Sequence, residues 1–431
     1  MPVHLYYLSI LIVALSLSGQ ASALLMSPRD MPTTPSAAST PGAQRYEAGM
    51  LALTRKDWLT AEAAFKEATR LDPTSPLPLI GLADTAIQKK QSGEAWSWLE
   101  KAAQVAPKNG LPYHAMGRFH YNQKAYNQAE SSFKKALSFS PDNALFNLDM
   151  ADLYANSLKK PEAALPFYRK AISQNPQHAG AYQGMGMTLS GLGKVNEAEV
   201  ALRKAAELAP DNPIPRQALG KLLAEQNKSD GALAVYQDAL KIQPDFVPAL
   251  MGKGDIFLGQ GNMQQALAAY QQAVKLMPKY DMAYLKMGMA LQGLSRRKDA
   301  EAAYKAAIAT NPKLALAYNN LAWIAADSQT NLAQAEQWAV KAIELAPLIA
   351  DFHDTLGWVY RAQTRYEKAE KSLSRAIEIQ ASAQFFYHLG IVYQAQNKPL
   401  EAKAAFSKSL SLQKDFVPSQ RALNTLKDNR H

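Results

Sequence analysis

The sequence contains no cysteine among its 431 residues. This absence excludes disulfide bonds, thiolate metal sites, a cysteine nucleophile and a lipidated N-terminal cysteine. It does not decide the redox compartment, because a chain with a large apolar core needs no covalent cross-links. Hydrophobic residues make up 48% of the chain and charged residues 19%, so we expect a folded protein.

Histidine is also scarce, and the seven histidines are scattered over positions 4, 114, 120, 178, 353, 388 and 431. His114 and His120 are six residues apart, which does not place both on one face of a helix. We expect His353 and His388 on a surface or in a groove rather than at a metal. No His-Glu-x-x-His motif occurs, and the glycine-rich stretch 184–194 lacks the GK[ST] ending of a phosphate-binding loop. The sequence therefore predicts no metal, no cofactor and no enzyme activity.

Dense charge clusters are few, although the formal net charge is +10. Lysine and arginine are spread along the chain, and residues 296–298 form the only run of three. Nucleic-acid binding favours a dense basic patch with aromatic rings free to stack on bases, so we expect no nucleic-acid partner. A mildly basic surface instead favours acidic partners.

Long apolar runs are confined to the N-terminus. Residues 5–18 form an uncharged apolar run, and Ala21, Ser22 and Ala23 follow it in the small-x-small pattern of signal peptidase sites. We predict a cleaved signal peptide over residues 1–23, hence a periplasmic or secreted protein. An uncleaved inner-membrane anchor is the alternative, because no Lys or Arg precedes the run. Residues 24–41, rich in Pro, Ser, Thr and Ala, are predicted to be a flexible linker.

Proline recurs with a strict period along the remaining chain, at positions 73, 107, 141, 176, 210, 244, 278, 312 and 347. The intervals are 34 residues, with 35 in two of them, which is typical of a solenoid of repeated units. Each unit carries the same landmarks, which in the eighth are Tyr284, Met287, Gly288, Leu291, Ala300, Tyr304, Ala307 and Pro312. Their spacing predicts two amphipathic helices per unit, the second of which ends before the proline.

These landmarks resemble the W-x2-L-G-x2-Y…A-x3-F…P pattern of the tetratricopeptide repeat family. The resemblance extends over residues 42–416 in eleven units, and residues 417–431 repeat the start of a first helix and are predicted to cap the array. It implies an all-α solenoid of about eleven helix-turn-helix repeats, wound into a right-handed superhelix with a concave groove lined by the first helices.

Some repeats depart from the pattern. Pro166 lies inside the second helix of the fourth repeat, where we expect a kink. The fourth and ninth repeats each contain one extra residue, which we place in the turn between their helices. The ninth repeat has Ala339 where others have a large ring, and Trp338 beside it is expected to fill the space.

The groove positions implied by the resemblance concentrate aromatic and polar residues in the last three repeats. The predicted partner-binding residues are Asn319, Trp323, Asp351, Asp354, Trp358, Arg361 and Tyr387. Aromatic rings with hydrogen-bonding neighbours suit a peptide or a sugar-bearing ligand. A purely structural role of the two tryptophans, packing between adjacent first helices, is the competing interpretation.

A second, apolar groove surface is predicted from methionine and leucine residues, since methionine adapts to varied apolar partners. Its members are Met187, Met251, Leu258, Met282, Leu285 and Met289. Core filling is the competing interpretation for this set.

We therefore expect a non-enzymatic scaffold that binds other proteins, such as components of an envelope or secretion complex. The chain resembles bacterial envelope repeat proteins that accompany polysaccharide export or pilus assembly. Two alternatives stay open: a carrier that binds polysaccharide in the aromatic groove, and a membrane-tethered cytoplasmic adaptor. The lysine and asparagine pattern that the family uses to bind chaperone C-terminal tails is missing, so such tails are not expected partners.

Overall fold

The repeats form helical hairpins in a computed structural model that describes residues 40–428, and the side chains up to residue 426. The predicted signal peptide and nearly all of the predicted linker lie outside these residues. Within them the chain forms 23 α-helices and no strand. No helix in this part of the chain is long and apolar enough to span a membrane.

The chain divides into two units, which we call the N-terminal unit (40–226) and the C-terminal unit (227–428). The helices of the N-terminal unit are α1 (Pro41–Thr54), α2 (Trp58–Leu71), α3 (Leu77–Gln88), α4 (Ser92–Val105), α5 (Gly110–Asn122), α6 (Tyr126–Phe139), α7 (Ala144–Asp152), α8 (Pro161–Gln174), α9 (Ala179–Gly191), α10 (Val195–Leu208) and α11 (Pro213–Glu225).

The helices of the C-terminal unit are α12 (Ser229–Ile242), α13 (Val247–Gly259), α14 (Met263–Leu276), α15 (Asp281–Gly293), α16 (Arg297–Thr310), α17 (Ala315–Asp327), α18 (Leu332–Leu345), α19 (Ala350–Ala362), α20 (Tyr366–Ile379), α21 (Ala383–Ala395), α22 (Pro399–Leu412) and α23 (Val417–Asp428). Odd-numbered helices are the first helices of the repeats, and even-numbered helices are the second.

Within each unit, a first helix packs against the second helix of its own repeat and against the second helix of the preceding repeat. Helix α19 also packs against α17, the first helix of the preceding repeat. Small residues allow the close approach. A Cβ atom on Gly288 would lie 2.5 Å from Cε1 of Tyr304, so only glycine fits beneath that ring. The second-helix residues Ala300, Tyr304 and Ala307 are fully buried, as their spacing predicts.

Glycine and asparagine residues mark the boundaries of several helices. Gly193 and Gly261 adopt positive φ in the turns between helices. Asn143 and Asn212 accept hydrogen bonds from the first backbone amides of α7 and α11. Helix α13, in contrast, follows Phe246 and begins without a side-chain cap.

The fold accommodates the irregular repeats in different ways. Helix α8 continues through Pro166 as an α-helix. The extra residue of the fourth repeat is absorbed in a π-helical turn, Leu153–Ser157, rather than in the inter-helix turn. In the ninth repeat the extra residue does lie in that turn, where Gln329 and Asn331 both have positive φ. Trp338 packs beside Ala339 as expected.

Helix α23 packs against α22 and ends the array as the predicted cap. Ser419 is buried and donates a hydrogen bond to Ser409 of α22, at 2.7 Å between the two Oγ atoms. Gln420, Arg421 and Asn424 are exposed, in agreement with an outer polar face.

Candidate partner-binding site

The last three first helices, α17, α19 and α21, lie side by side and bring an aromatic ladder together. We use this name for Trp323 of α17, Trp358 of α19 and His388 of α21. The two indole rings lie 5.9 Å apart between centroids at an angle of 16°. The imidazole of His388 stacks on Trp358 at 4.3 Å, and lies 5.7 Å from Trp323. Both tryptophans are half-buried, so part of each ring faces solvent.

A buried hydrogen bond holds His388 in the ladder. Nδ1 of His388 lies 2.7 Å from Oδ1 of Asp354, and the two residues are only 2% and 5% exposed. Nδ1 donates its proton to the carboxylate, and on the other side of the ring Nε2 of His388 lies 2.5 Å from Nε2 of Gln384. The predicted contact of Asp354 with a partner is wrong, because its carboxylate is buried and bonded to His388.

His388 was itself expected on a surface or in a groove, and it is buried instead. Its importance could not be found from the sequence, because Asp354 lies 34 residues away and in the preceding repeat. The repeat period was the only available signal, since it relates the fifth residue of one first helix to the sixth residue of the next.

Arg361 completes the accessible side of the ladder. Its guanidinium carbon lies 4.4 Å from the ring centroid of Trp358, a cation–π arrangement that adds positive charge at the ring face. Arg361 is half-buried and lies one turn beyond Trp358 on α19. The site thus offers flat apolar rings beside a cationic group with bidentate hydrogen-bonding capacity.

The other predicted residues differ in what they can offer. Oδ1 of Asn319 is buried and has no hydrogen-bond donor among the described residues, so it is an acceptor still to be satisfied. Asp351 is exposed. Tyr387 is half-buried and packs between Phe406 and Phe416, with its ring centroid 5.9 Å from each, so much of this ring is structural.

The second predicted surface is mostly interior. Met251, Leu258 and Leu285 are 7%, 9% and 1% exposed, so they fill the core and cannot contact a partner. Met282 and Met289 are half-buried. Met187 is 53% exposed, but it belongs to the N-terminal unit whereas the other five residues belong to the C-terminal unit. The structure therefore describes no common apolar surface formed by the six.

The N-terminal unit contains a second histidine–aspartate contact, which the sequence pattern does not predict. Nε2 of His114 lies 2.8 Å from Oδ2 of Asp149, and Nε of Arg118 lies 3.7 Å from the same oxygen. Burial lowers the pKa of His114, which favours a neutral ring. Burial alone would raise the pKa of Asp149, but the hydrogen bond and the charges of its neighbours outweigh it and lower that pKa.

No group of three or more metal-ligating side chains occurs in the part of the chain that the structure describes. The two histidines at the centre of these contacts, His114 and His388, are each committed to an aspartate. Each of these contacts joins residues about one repeat apart, so it connects two consecutive repeats.

Several solved structures are similar to this chain. The APC/C hetero-tetramer Cut9–Hcn1 is 15% identical over 90% of this chain and 96% of that chain, with a TM-score of 0.50. A tetratricopeptide repeat protein from Parabacteroides merdae ATCC 43184 is 18% identical over 58% of this chain and 99% of that chain (TM-score 0.48). Yeast Tom70 is 14% identical over 90% and 95% (TM-score 0.41). At these identities the likeness concerns the fold alone.

No curated protein matches the sequence. Family models described as tetratricopeptide repeat match residues 112–143, 155–222, 218–281, 285–348, 350–382 and 383–416, which together cover more than half of the chain. With its paired helices and the 34-residue period, the chain belongs to the tetratricopeptide repeat family.

Proposed function

We propose that this protein is a non-enzymatic scaffold that binds a segment of another protein across α17, α19 and α21. Tetratricopeptide repeat proteins are in general protein-interaction scaffolds, and the aromatic ladder is the observation that carries the proposal for this chain. Its two indole rings are partly exposed and nearly parallel, and the imidazole of His388 that stacks on Trp358 is held by the buried bond to Asp354.

The physical reason is preorganisation. A free tryptophan side chain loses rotamer freedom when it binds a partner, which weakens binding. Here stacking and the buried hydrogen bond have already ordered the rings, so a partner's apolar side chain meets a rigid surface. The partly exposed guanidinium of Arg361 supplies the polar contact that orients the partner. Tryptophan and arginine are the residues in which interface energy is most often concentrated.

We further propose that the protein acts in the bacterial cell envelope, in the periplasm or outside the cell, where it assists polysaccharide export or the assembly of pilus or envelope complexes. The apolar run at 5–18 and the small residues at 21–23 support this location. N-terminal sequencing of the mature protein is the test. A start at Leu24 supports export with cleavage, whereas an intact Met1 supports an anchored protein and contradicts the cleaved signal.

The binding proposal is tested with the double variant Trp323→Ala/Trp358→Ala and a random dodecapeptide display library. We expect the wild-type protein to enrich a peptide family and the double variant to lose it. The matched control is Trp338→Ala, which removes a partly buried tryptophan from the second helix of the same repeat as Trp323. Trp338 packs against the same apolar cluster as Trp358 but is not a member of the ladder, so the control tests the loss of packing alone. Circular dichroism must show equal helicity for both variants.

Two results would contradict the proposal. If the double variant enriches the same peptides as the wild type, the ladder is not the binding surface. If the double variant alone loses helicity, the tryptophans are structural. Flat rings also stack on sugars, so the binding of polysaccharide to the same proteins is measured too. If polysaccharide binding depends on the two tryptophans and no peptide is enriched, the result would favour the carrier function.

A further inference from the structure

Two aspartates occupy the same position in different repeats. Asp152 in α7 and Asp255 in α13 are each the ninth residue of a first helix. Each accepts a hydrogen bond from the tyrosine of the second helix in its own repeat. The hydroxyl of Tyr168 lies 2.5 Å from Oδ1 of Asp152, and the hydroxyl of Tyr270 lies 2.7 Å from Oδ1 of Asp255.

The two aspartates differ in their cationic partner. Lys286, the sixth residue of the next first helix, lies 2.7 Å from Oδ1 and 2.6 Å from Oδ2 of Asp255. Its ammonium group therefore neutralises that carboxylate. Because this ion pair is partly buried, solvent screens it less than an exposed pair.

The equivalent position next to Asp152 is Gly184, which has no side chain. A Cβ atom there would lie 2.6 Å from Cε1 of Tyr168, so the packing of this ring excludes a lysine at 184. In the part of the chain that the structure describes, no Lys or Arg forms an ion pair with Asp152. The hydroxyl of Tyr168 donates to Oδ1, and Oδ2 is left for another donor.

The surroundings of Asp152 disfavour its charged form when no cation is paired with it. Burial raises the pKa of Asp152 to about 7, and the negative charge of Asp149 on the same helix adds to the shift. Arg118 lies beside Asp149 instead. Asp152 is half-buried rather than enclosed, so a group from outside can reach it. The π-helical turn begins at the next residue, and such turns frequently mark functional sites.

We propose that the carboxylate of Asp152 binds a lysine or arginine side chain of a protein partner, which takes the place that Lys286 occupies beside Asp255. A metal ion is a poor fit, because one carboxylate and a tyrosine hydroxyl do not form a ligand set. Met187 lies one turn beyond Gly184 on α9 and is exposed, so it can pack against the aliphatic stem of the incoming side chain. This site lies in the N-terminal unit and does not depend on the aromatic ladder.

The test uses the full chain and four pools of acetylated, amidated octapeptides with a fixed central lysine, arginine, citrulline or norleucine and degenerate flanks. Binding is measured by fluorescence anisotropy. We expect the lysine and arginine pools to bind the wild type about tenfold more tightly than the norleucine and citrulline pools. Asp152→Asn should abolish the preference. The control Asp255→Asn should retain it, because Lys286 already occupies that carboxylate.

A gain-of-function variant sharpens the test. Lys286→Gly removes the cation from Asp255 and should add a second site for the lysine pool, provided that circular dichroism shows an unchanged helix content. Equal binding of the lysine and norleucine pools to the wild type would overturn the proposal. The proposal would also be overturned if Asp152→Asn and Asp255→Asn lost the preference for the lysine pool equally, because that result would indicate nonspecific electrostatic attraction. The Trp323→Ala/Trp358→Ala variant should retain the preference, so this proposal can fail or succeed separately from the ladder.

Discussion

The N-terminal and C-terminal units each connect two consecutive repeats by a histidine–aspartate hydrogen bond, in reversed order. In the N-terminal unit His114 is the fifth residue of α5 and Asp149 the sixth residue of α7. In the C-terminal unit Asp354 is the fifth residue of α19 and His388 the sixth residue of α21. The packing of neighbouring first helices thus brings these two positions together, and it accepts the pair either way round.

The surroundings separate a structural contact from one that supports a surface. The ring of His114 stacks on Phe146, which is fully buried, at 4.4 Å. The ring of His388 stacks on Trp358, which is partly exposed. The carboxylates differ too, since the side chain of Asp149 is 22% exposed and that of Asp354 only 7%. The same kind of histidine–aspartate contact therefore contributes to the core in one unit and orders a candidate binding surface in the other.

The largest effect is expected from His388→Leu. The substitution leaves the buried carboxylate of Asp354 without its donor, and we expect the free energy of local opening of α19 and α21 to fall by about 3 kcal/mol. Native-state hydrogen exchange of these helices measures it. The double variant Asp354→Leu/His388→Leu, which leaves no polar group unpaired, should recover most of the loss. Unchanged exchange in the single variant would show that the bond contributes nothing.

A smaller effect is expected from His114→Leu. Asp149 is partly exposed and keeps Arg118 nearby, so water and the guanidinium can replace part of the lost hydrogen bond. We expect the opening free energy of α5 and α7 to fall by about 1–2 kcal/mol. If the loss equals or exceeds that of His388→Leu in the same exchange experiment, the difference in burial does not explain the two contacts.

The pH dependence of the N-terminal unit gives a third comparison, between Asp152 and its paired counterpart Asp255. The pKa of Asp152 in the fold, about 7, lies above the ordinary value of 3.8. A group whose pKa is raised by folding stabilises the fold below its unfolded pKa, and this contribution is lost as pH rises through the folded pKa. We expect the opening free energy of α7 and α8 to fall by about 1 kcal/mol between pH 6 and 8, less than for a fully buried acid.

Asp152→Asn should remove this fall, whereas Asp255→Asn should leave it in place. The titratable groups that interact with Asp152 are Tyr168, whose raised pKa keeps it neutral in this range, and Asp149, whose lowered pKa keeps it ionised. Hydrogen exchange at the two pH values, corrected for the intrinsic exchange rate, measures the difference. A fall that persists in Asp152→Asn would assign the effect to another group.

The smallest effect is expected from Arg118→Gln. At 3.7 Å and with both side chains partly exposed, its interaction with Asp149 should contribute about 0.5 kcal/mol or less. The exchange of α5 and α7 should therefore change little. A loss as large as that of His114→Leu would show that Arg118, rather than His114, is the principal partner of Asp149.

The hairpins were predictable because they depend on local rules. Proline cannot continue a helix, and apolar residues at helical spacing predict the buried stripe of each helix, as in α16. The site was predictable only in part. Trp323 and Trp358 do lie together, whereas Asp354 is enclosed and Leu285 is in the core. Residues on the helix face that meets solvent and residues on the face that meets the next repeat have the same helical spacing. The spacing therefore could not show which of the predicted site residues are exposed.

The sequence by itself determined the repeat, its length, the start and end of most helices, and the small residues that let the helices approach. Those features follow from backbone sterics and from spacing within one unit. Only the tertiary structure decided which partner each polar residue meets in the next repeat: His388 for Asp354, Lys286 for Asp255, and Gly184 in place of a cation for Asp152. These pairings join residues about one repeat apart, and their geometry depends on how consecutive helices stack.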